Sequence, residues 1–172
     1  TGVAEQNAAR RARAAGMRRP LQSVFTRDCI ARGQDVESGG ARYNWVECSF
    51  IGLANLVDSL FVIRQEVYDQ QRMTLGQLKA VLDANFEGLE ATRQRLLNTY
   101  AKYGQGNADV DLLFRMTMTI LTEICAGFSM EPDGSPYVPG AFAWVMHEQL
   151  GRQTGATPDG RRAGFPFADG CG

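Results

Sequence analysis

Histidine is nearly absent from this sequence: His147 is the single one. Cysteine is sparse too, with Cys29, Cys48, Cys125 and Cys171, and no two of them form a C-x-x-C pair. One imidazole and four scattered thiols give a tetrahedral zinc site too few ligands at suitable spacing, so no metal is expected. Thiols this thinly spread do not make a disulfide framework in a chain of 172 residues. They read as small apolar fillers in a reducing compartment. No apolar run approaches the ~20 residues that a membrane-spanning helix needs. The apolar core of a secretory signal is also missing. Neither sign of charge is in excess: 18 basic residues against 19 acidic ones leave a formal net charge of -1. That balance gives no global electrostatic reason to expect nucleic acid as a partner.

What remains is the composition of a globular chain, 44% hydrophobic and 22% charged. Arg10, Arg11, Arg13, Arg18 and Arg19 crowd the first 19 positions against Glu5. This basic, Ala-rich run reads as a solvated helix face, with a transit peptide or an anion-binding helix as alternatives. Residues 3–17 are expected to be helical, up to the break at Pro20. Helix is also favoured from Leu21 to Ile30, on Leu21, Val24, Phe25 and Ile30. Residues 33–40 read as a polar loop, and Ala41 to Phe50 as extended or irregular.

Three longer helices follow from apolar spacing of three and four. The first runs from Gly52 to Gln70 on Leu53, Leu56, Val57, Leu60, Phe61, Val67 and Tyr68. In the second, Thr74 with Gln77 three residues on forms a capping box. That helix is expected to run to about Asn98 on Leu75, Leu78, Leu82, Phe86, Leu89 and Leu96. The third starts at Asp109 and uses Val110, Leu113, Phe114, Ile120, Leu121 and Ile124, with Gly127 as its stop. Residues 129–140 read as loop. Phe142, Trp144 and Met146 alternate with Ala143, Val145 and His147, which predicts a strand. A lone strand leaves its backbone unpaired, so partner strands are expected outside the chain. The fold class is therefore mainly α with a few β strands.

Three strings stand out. The first is Gly39-Gly40-Ala41-Arg42-Tyr43-Asn44, with Gly52 and Asp58-Ser59-Leu60 downstream. The second is Lys102-Tyr103-Gly104 before Asp109-Val110-Asp111. The third runs Thr154-Gly155-Ala156-Thr157-Pro158-Asp159-Gly160-Arg161-Arg162-Ala163-Gly164 and continues to Phe167-Ala168-Asp169-Gly170. Their order resembles the glycyl radical enzymes of the pyruvate formate-lyase type, from about Pro20 to Gly172. The aromatic stretch Tyr43 to Cys48 looks like a less common subgroup.

That resemblance implies a ten-stranded α/β barrel in the full protein, with residues 1–172 forming part of a pyruvate formate-lyase-type domain. It implies radical lyase chemistry on a small organic substrate: dehydration, decarboxylation, or C–N, C–C or C–S cleavage. It also implies a stored glycyl radical, installed by a radical S-adenosylmethionine activating enzyme, and a homodimeric, anaerobic, cytoplasmic parent. The family's catalytic cysteine lies in a G-C-x-E-like string and its radical glycine in an R-V-x-G-Y-like string. Cys29 follows Asp28, Cys48 follows Glu47, Cys125 follows Ile124, and Cys171 has only Gly172 after it. None matches, so both radical residues are expected outside the chain, and the segment alone is expected to be inactive.

Gly39, Gly40, Tyr43, Asn44, Asp58, Thr157, Pro158, Asp159, Gly160 and Arg161 are read mainly as architecture. Gly39 and Gly40 allow close backbone approach. Asp58 is expected near a helix start, where it suits the dipole. Thr157 to Gly160 has the residues of a turn. Arg161 and Arg162 are expected to pin that turn through Asp159 or a distant carboxylate. The candidate substrate pocket is Trp45, Glu47, Cys48, Trp144 and His147. Glu47, between apolar neighbours, suits acid/base work. Each has a plainer alternative: a surface carboxylate for Glu47, a hydrogen-bonded core residue for His147, and core packing for Trp144. For the chain as a whole, the alternative is a helical binding or scaffold domain without chemistry.

Overall fold

The computed structural model describes residues 2–170. Thr1, Cys171 and Gly172, and the reading of Cys171 above, lie outside them. In chain order the elements are α1 (Gly2–Gly16), α2 (Pro20–Phe25), α3 (Cys29–Arg32), a 3-10 turn (Val36–Ser38) and β1 (Val46–Phe50). There follow α4 (Leu53–Ile63), α5 (Leu75–Asp83), α6 (Glu90–Asn98), α7 (Ala108–Ala126), β2 (Tyr137–Ala141) and α8 (Met146–Arg152). The described chain is thus mainly helical, with β1 and β2 paired in a two-stranded sheet. It divides into two compact units: residues 1–48 with 120–140, and residues 49–119 with 141–172.

In the first unit, arginines of α1 and of the segment after it reach carboxylates. Arg11 pairs with Glu131, and Arg13 and Arg19 both reach Glu37. Asn7 is buried on the same helix; it donates to the Ser129 carbonyl and accepts from the Glu131 amide and the Tyr137 hydroxyl. One buried amide therefore fixes the segment leading into β2. The helix expected from Leu21 to Ile30 is two short ones. Asp28, at φ 77, breaks them, and Leu21, Phe25 and Ile30 are exposed.

The second unit holds the apolar core. Val57, Phe61 and Val62 of α4 meet Leu78, Phe86, Leu96, Tyr100 and Val110. Side chains of this kind, fully withdrawn from water, are each worth ~1.5–3 kcal/mol. The helix expected over Gly52 to Gln70 forms, but its last part, Arg64–Asp69, widens to a π-helix. Leu56, Leu60 and Tyr68 of the expected apolar face are exposed, as are Ile120 and Ile124 of α7. The Thr74–Gln77 capping box is present, with both reciprocal bonds. The helix expected to continue to Asn98 is interrupted. Asn85 (φ 48), Phe86 (φ 61) and Gly88 (φ 69) turn the chain through the left-handed region.

The strand expected at 142–147 is not a strand. Trp144 sits at φ 46, which ends extended backbone, and Met146 and His147 open α8. Five of those six residues are apolar, so their alternation carried no real period. The strand lies just upstream, at Tyr137–Ala141, in what read as loop. Pro139 lacks an amide proton, and a two-stranded sheet tolerates that because every strand is an edge. The unpaired-strand argument for missing partners falls with this correction, because β1 and β2 pair with each other.

Candidate functional site

The two families of motif residues sit in different units. In the first unit, Gly39 and Gly40 act as predicted. Gly39 is at φ 85, and a Cβ there would come within 2.5 Å of the Asp133 side chain. A Cβ on Gly40 would stand 2.1 Å from the Gln34 carbonyl oxygen. Asn44 donates to Asp133, which also accepts from the Ser135 hydroxyl at 2.7 Å. Arg42 closes the loop by donating to Asp28 at 2.7 Å. Tyr43 points out, 76% exposed.

Trp45, Glu47 and Cys48 follow on and beside β1. Trp45 is 54% exposed. Alternation along the strand leaves Glu47 and Ser49 exposed and Val46, Cys48 and Phe50 half-buried. Glu47 therefore has an open face rather than the apolar enclosure expected for it. Its side chain lies across Gly140 of β2: a Cβ there would stand 1.7 Å from Oε1. The glycine is what allows the carboxylate to lie flat on the sheet. Cys48 faces the other way and meets Cys125; burial and that neighbouring thiol push its own thiol up.

In the second unit, Trp144 is 75% exposed and His147 is half-buried in α8. His147 Nδ1 lies 2.9 Å from the Trp144 carbonyl oxygen and 3.6 Å from Asp169 Oδ1. The His147 carbonyl accepts from the Phe167 amide. The histidine thus ties the left-handed turn to the T-P-D-G-R segment.

That segment is densely hydrogen-bonded. Gly160 N–H returns to the Thr157 carbonyl at 3.1 Å, closing a β-turn with Pro158 at its second position. Gly160 is at φ 93 against Leu97. Asp159 is 5% exposed; it accepts from Asn55 at 2.6 Å, from the Thr157 hydroxyl and from the Arg161 amide. Arg161 is 8% exposed, and its guanidinium does not go to a carboxylate as expected. It donates to the carbonyls of Gly151, Gly155, Arg162 and Phe165 and to the Thr157 hydroxyl, and lies 4.6 Å from the Phe167 ring centroid. Burial lowers its proton affinity and Asp159 offsets part of that. Arg162 does find a distant carboxylate, Glu90, at 2.6 Å. Asn55, Arg93, Leu97, Gly160, Arg162 and Phe165 line a cleft of about 330 Å³ beside the turn.

Asp58 is the sixth residue of α4, not in its first turn, so the dipole argument fails. It is a buried acceptor for the Tyr103 amide at 2.8 Å. Burial pushes its carboxyl up, partly opposed by that amide and by Lys102. Lys102 runs its ammonium to the carbonyls of Leu96 and Asp159, and burial lowers its proton affinity. Glu66 escaped notice altogether. It is fully buried at the π-helix, accepting from Arg95 at 2.9 Å and Tyr100 at 2.6 Å. The arginines and tyrosine that hold it lie far along the chain, so no local pattern marks it.

Among the described residues no three His, Cys, Asp or Glu side chains gather as metal ligands. No helix there is long and apolar enough to cross a membrane. Around the T-P-D-G-R turn the geometry is that of a rigid support, with the Asp159 and Arg161 side chains spent on backbone and on neighbouring polar groups.

Comparison with known proteins gives this support its context. The family model described as pyruvate formate lyase-like matches residues 1–151. A probable dehydratase of Escherichia coli (strain K12) is 38% identical over 158 residues, 88% of this chain and 20% of that protein. The structure of hydroxyproline dehydratase from Clostridioides difficile, with trans-4-hydroxy-L-proline bound, superposes with a TM-score of 0.88 at 30% identity. It is covered over 95% of this chain and 20% of its own. A glycyl radical enzyme from Archaeoglobus fulgidus superposes with a TM-score of 0.84 at 27% identity, over 98% of this chain and 21% of its own. The chain therefore spans about a fifth of the length of the relatives it matches, and it belongs to the pyruvate formate lyase-like family.

Proposed function

We propose that this chain is one section of the active-site barrel of a glycyl radical lyase, within a partial pyruvate formate-lyase-type domain. The parent would be a dehydratase or related lyase acting on a small hydroxylated substrate. The observation that carries this reading is the T-P-D-G-R turn: its carboxylate and guanidinium are buried and satisfied internally, which suits a fixed wall. The likeness to dehydratases over almost the whole chain supports it. It is favoured over a scaffold domain because the T-P-D-G-R residues form one bonded support within their unit.

In this reading the rest of the ten-stranded barrel, the radical cysteine and the radical glycine come from sequence beyond this chain. The stored radical supplies hydrogen-atom abstraction from the substrate. This chain's residues orient and exclude. Glu47, open on the face of β1 over Gly140, would meet a substrate hydroxyl as acceptor or proton donor. Within the first unit, Trp45 would supply exposed aromatic surface beside Glu47. A radical S-adenosylmethionine activating enzyme, a homodimeric parent and an anaerobic cytoplasm belong to the same proposal.

The test uses the full-length protein activated anaerobically by its activating enzyme. An organic radical signal in electron paramagnetic resonance, with water loss from glycerol, 1,2-propanediol or trans-4-hydroxyproline, is expected. Absence of any such radical after activation overturns the radical reading. A radical without elimination from any of these overturns the hydroxylated-substrate reading. Glu47→Gln should lower turnover by about 100-fold or more if its proton is used. Unchanged turnover and KM remove Glu47 from the site.

A further inference from the structure

We infer that Gly140 is the positioning residue for Glu47: the side chain it lacks is the seat of the Glu47 carboxylate, and filling that seat moves the carboxylate away from the substrate. This rests on the reading of Glu47 given under the proposed function. A Cβ on Gly140 would stand 2.5 Å from Glu47 Cδ and 2.7 Å from its Cγ, and closer still to Oε1. The whole end of the Glu47 side chain, not a single atom, thus fills the volume that a side chain at position 140 would take. Both residues belong to the first unit, on paired strands.

The backbone does not ask for glycine there. Gly140 lies in β2, outside the left-handed region of φ, so its conformation accepts alanine. Glycine inside a strand loses packing and ordering entropy, and it marks a close approach by another group. The approaching group is a carboxylate. Among the described residues that carboxylate takes part in no hydrogen bond or ion pair. The shape of its seat therefore locates it, and its oxygens stay free to bond a substrate hydroxyl. Gly40 is the contrast. A Cβ there would meet the Gln34 carbonyl carbon at 2.8 Å, with its oxygen closer still, so main chain has to move. At Gly140 the atoms in the way form the tip of a flexible side chain. Alanine leaves the sheet in place and pushes the carboxylate off by more than ~1 Å, to ordinary contact at about 3.5 Å. A misplacement of that size can cost about 100-fold in rate.

The experiment uses the full-length protein, activated anaerobically, on whichever of glycerol, 1,2-propanediol and trans-4-hydroxyproline it dehydrates. Gly140→Ala, Glu47→Ala and the double variant are compared with the unsubstituted protein. All four should give the same organic radical signal in electron paramagnetic resonance, which reads an assembled and activated protein. Gly140→Ala should lower kcat/KM by ~10–100-fold, through the same parameter, kcat or KM, as Glu47→Ala. Added to Glu47→Ala it should change the rate by less than about twofold, because the carboxylate it displaces is already gone. A crystal structure of the full-length Gly140→Ala variant should show β1 and β2 in place and the Glu47 carboxylate displaced. A carboxylate unmoved in that structure overturns the inference whatever the rates. Unchanged turnover in Gly140→Ala beside a damaged Glu47→Ala overturns it too, and leaves the reading of Glu47 standing. Equal losses from Gly140→Ala with and without Glu47, or loss of the radical, overturn it as well, since alanine then acts on the sheet. Unchanged turnover in Glu47→Ala removes the reading of Glu47 itself, and the inference with it.

Discussion

Asn55 donates its amide to Asp159 Oδ2 at 2.6 Å and accepts from the Ala168 amide at 2.7 Å. One side chain in the first turn of α4 thus grips the T-P-D-G-R turn and the strand of loop after it. The carboxylate it holds has two further donors, the Thr157 hydroxyl and the Arg161 amide.

Asp159→Ala should therefore cost more than one hydrogen bond. It leaves the Asn55 amide unpaired and strips Arg161 and Lys102 of a nearby negative charge. A loss of ~2–4 kcal/mol is expected, because orphaned buried partners pay their full desolvation. Urea unfolding of the chain measures it. A loss below about 0.5 kcal/mol, the ordinary scatter of surface substitutions, would show the turn is not a support.

Gly160 and Gly155 stand five positions apart in the same string and should respond differently. Gly160 is at φ 93, and an added Cβ would sit 2.8 Å from the Leu97 Cβ. Gly155 has nothing within 4 Å of an added Cβ. Gly160→Ala should destabilise by ~1–3 kcal/mol through strain and clash. Gly155→Ala should fall within ~0.5 kcal/mol of the parent. Thermal melts of the two variants side by side decide it. Equal shifts would refute the close approach of α6 to the turn.

Short-range chemistry was legible in the sequence and long-range partnership was not. The capping box at Thr74, the Pro158–Gly160 turn and the core face through Val57 and Phe61 depend on neighbours within four residues. β2 was hidden because Pro139 and Gly140 are loop formers wherever no partner strand is known. Asn85 and Gly88 hinted at the break after α5, but Phe86 at φ 61 is held there by burial of its ring to 1% exposure. Arg161 was assigned a carboxylate because carboxylates are visible in a sequence. Its carbonyl partners belong to the backbone and leave no mark. The motif strings pointed to the family, while the candidate pocket residues were chosen for chemistry alone. Trp45, Glu47 and Cys48 belong to the first unit, with Glu47 and Cys48 on opposite faces of β1, and Trp144 and His147 belong to the second.

Tyr100 gives a test at alkaline pH. Burial first, and then its bond to Glu66, push its phenol up to about 12 from an ordinary 10.0. The folded pKa is raised, so the stability linked to it is whole below pH 10 and is lost as pH climbs through about 12. Tyrosinate absorbance should show Tyr100 titrating late until the chain unfolds, along with Tyr137, whose phenol burial also pushes up. Tyr100→Phe should remove one late-titrating phenol and cost ~1.5–3 kcal/mol at neutral pH, the worth of a bond to a charged acceptor. A full set of tyrosines titrating near pH 10 in the folded chain would contradict the buried Glu66–Tyr100 pair.

Glu90 gives the test at the acid end. Arg93 bonds both its oxygens, and Gln94 and Arg162 add one donor each. These donors, Arg93 foremost, hold the carboxyl at about 2 against an ordinary 4.5. The folded pKa is depressed, so the linked stability is whole above pH 4.5 and fades as pH falls through about 2. The group is on the surface, so salt should weaken the effect. Carbon NMR of the Glu90 carboxyl follows the titration directly. Arg93→Ala should return its midpoint most of the way to the ordinary value, and Arg162→Ala by a smaller step. If both variants leave the midpoint where it stood, the contact between α6 and the T-P-D-G-R segment is not made through these charges.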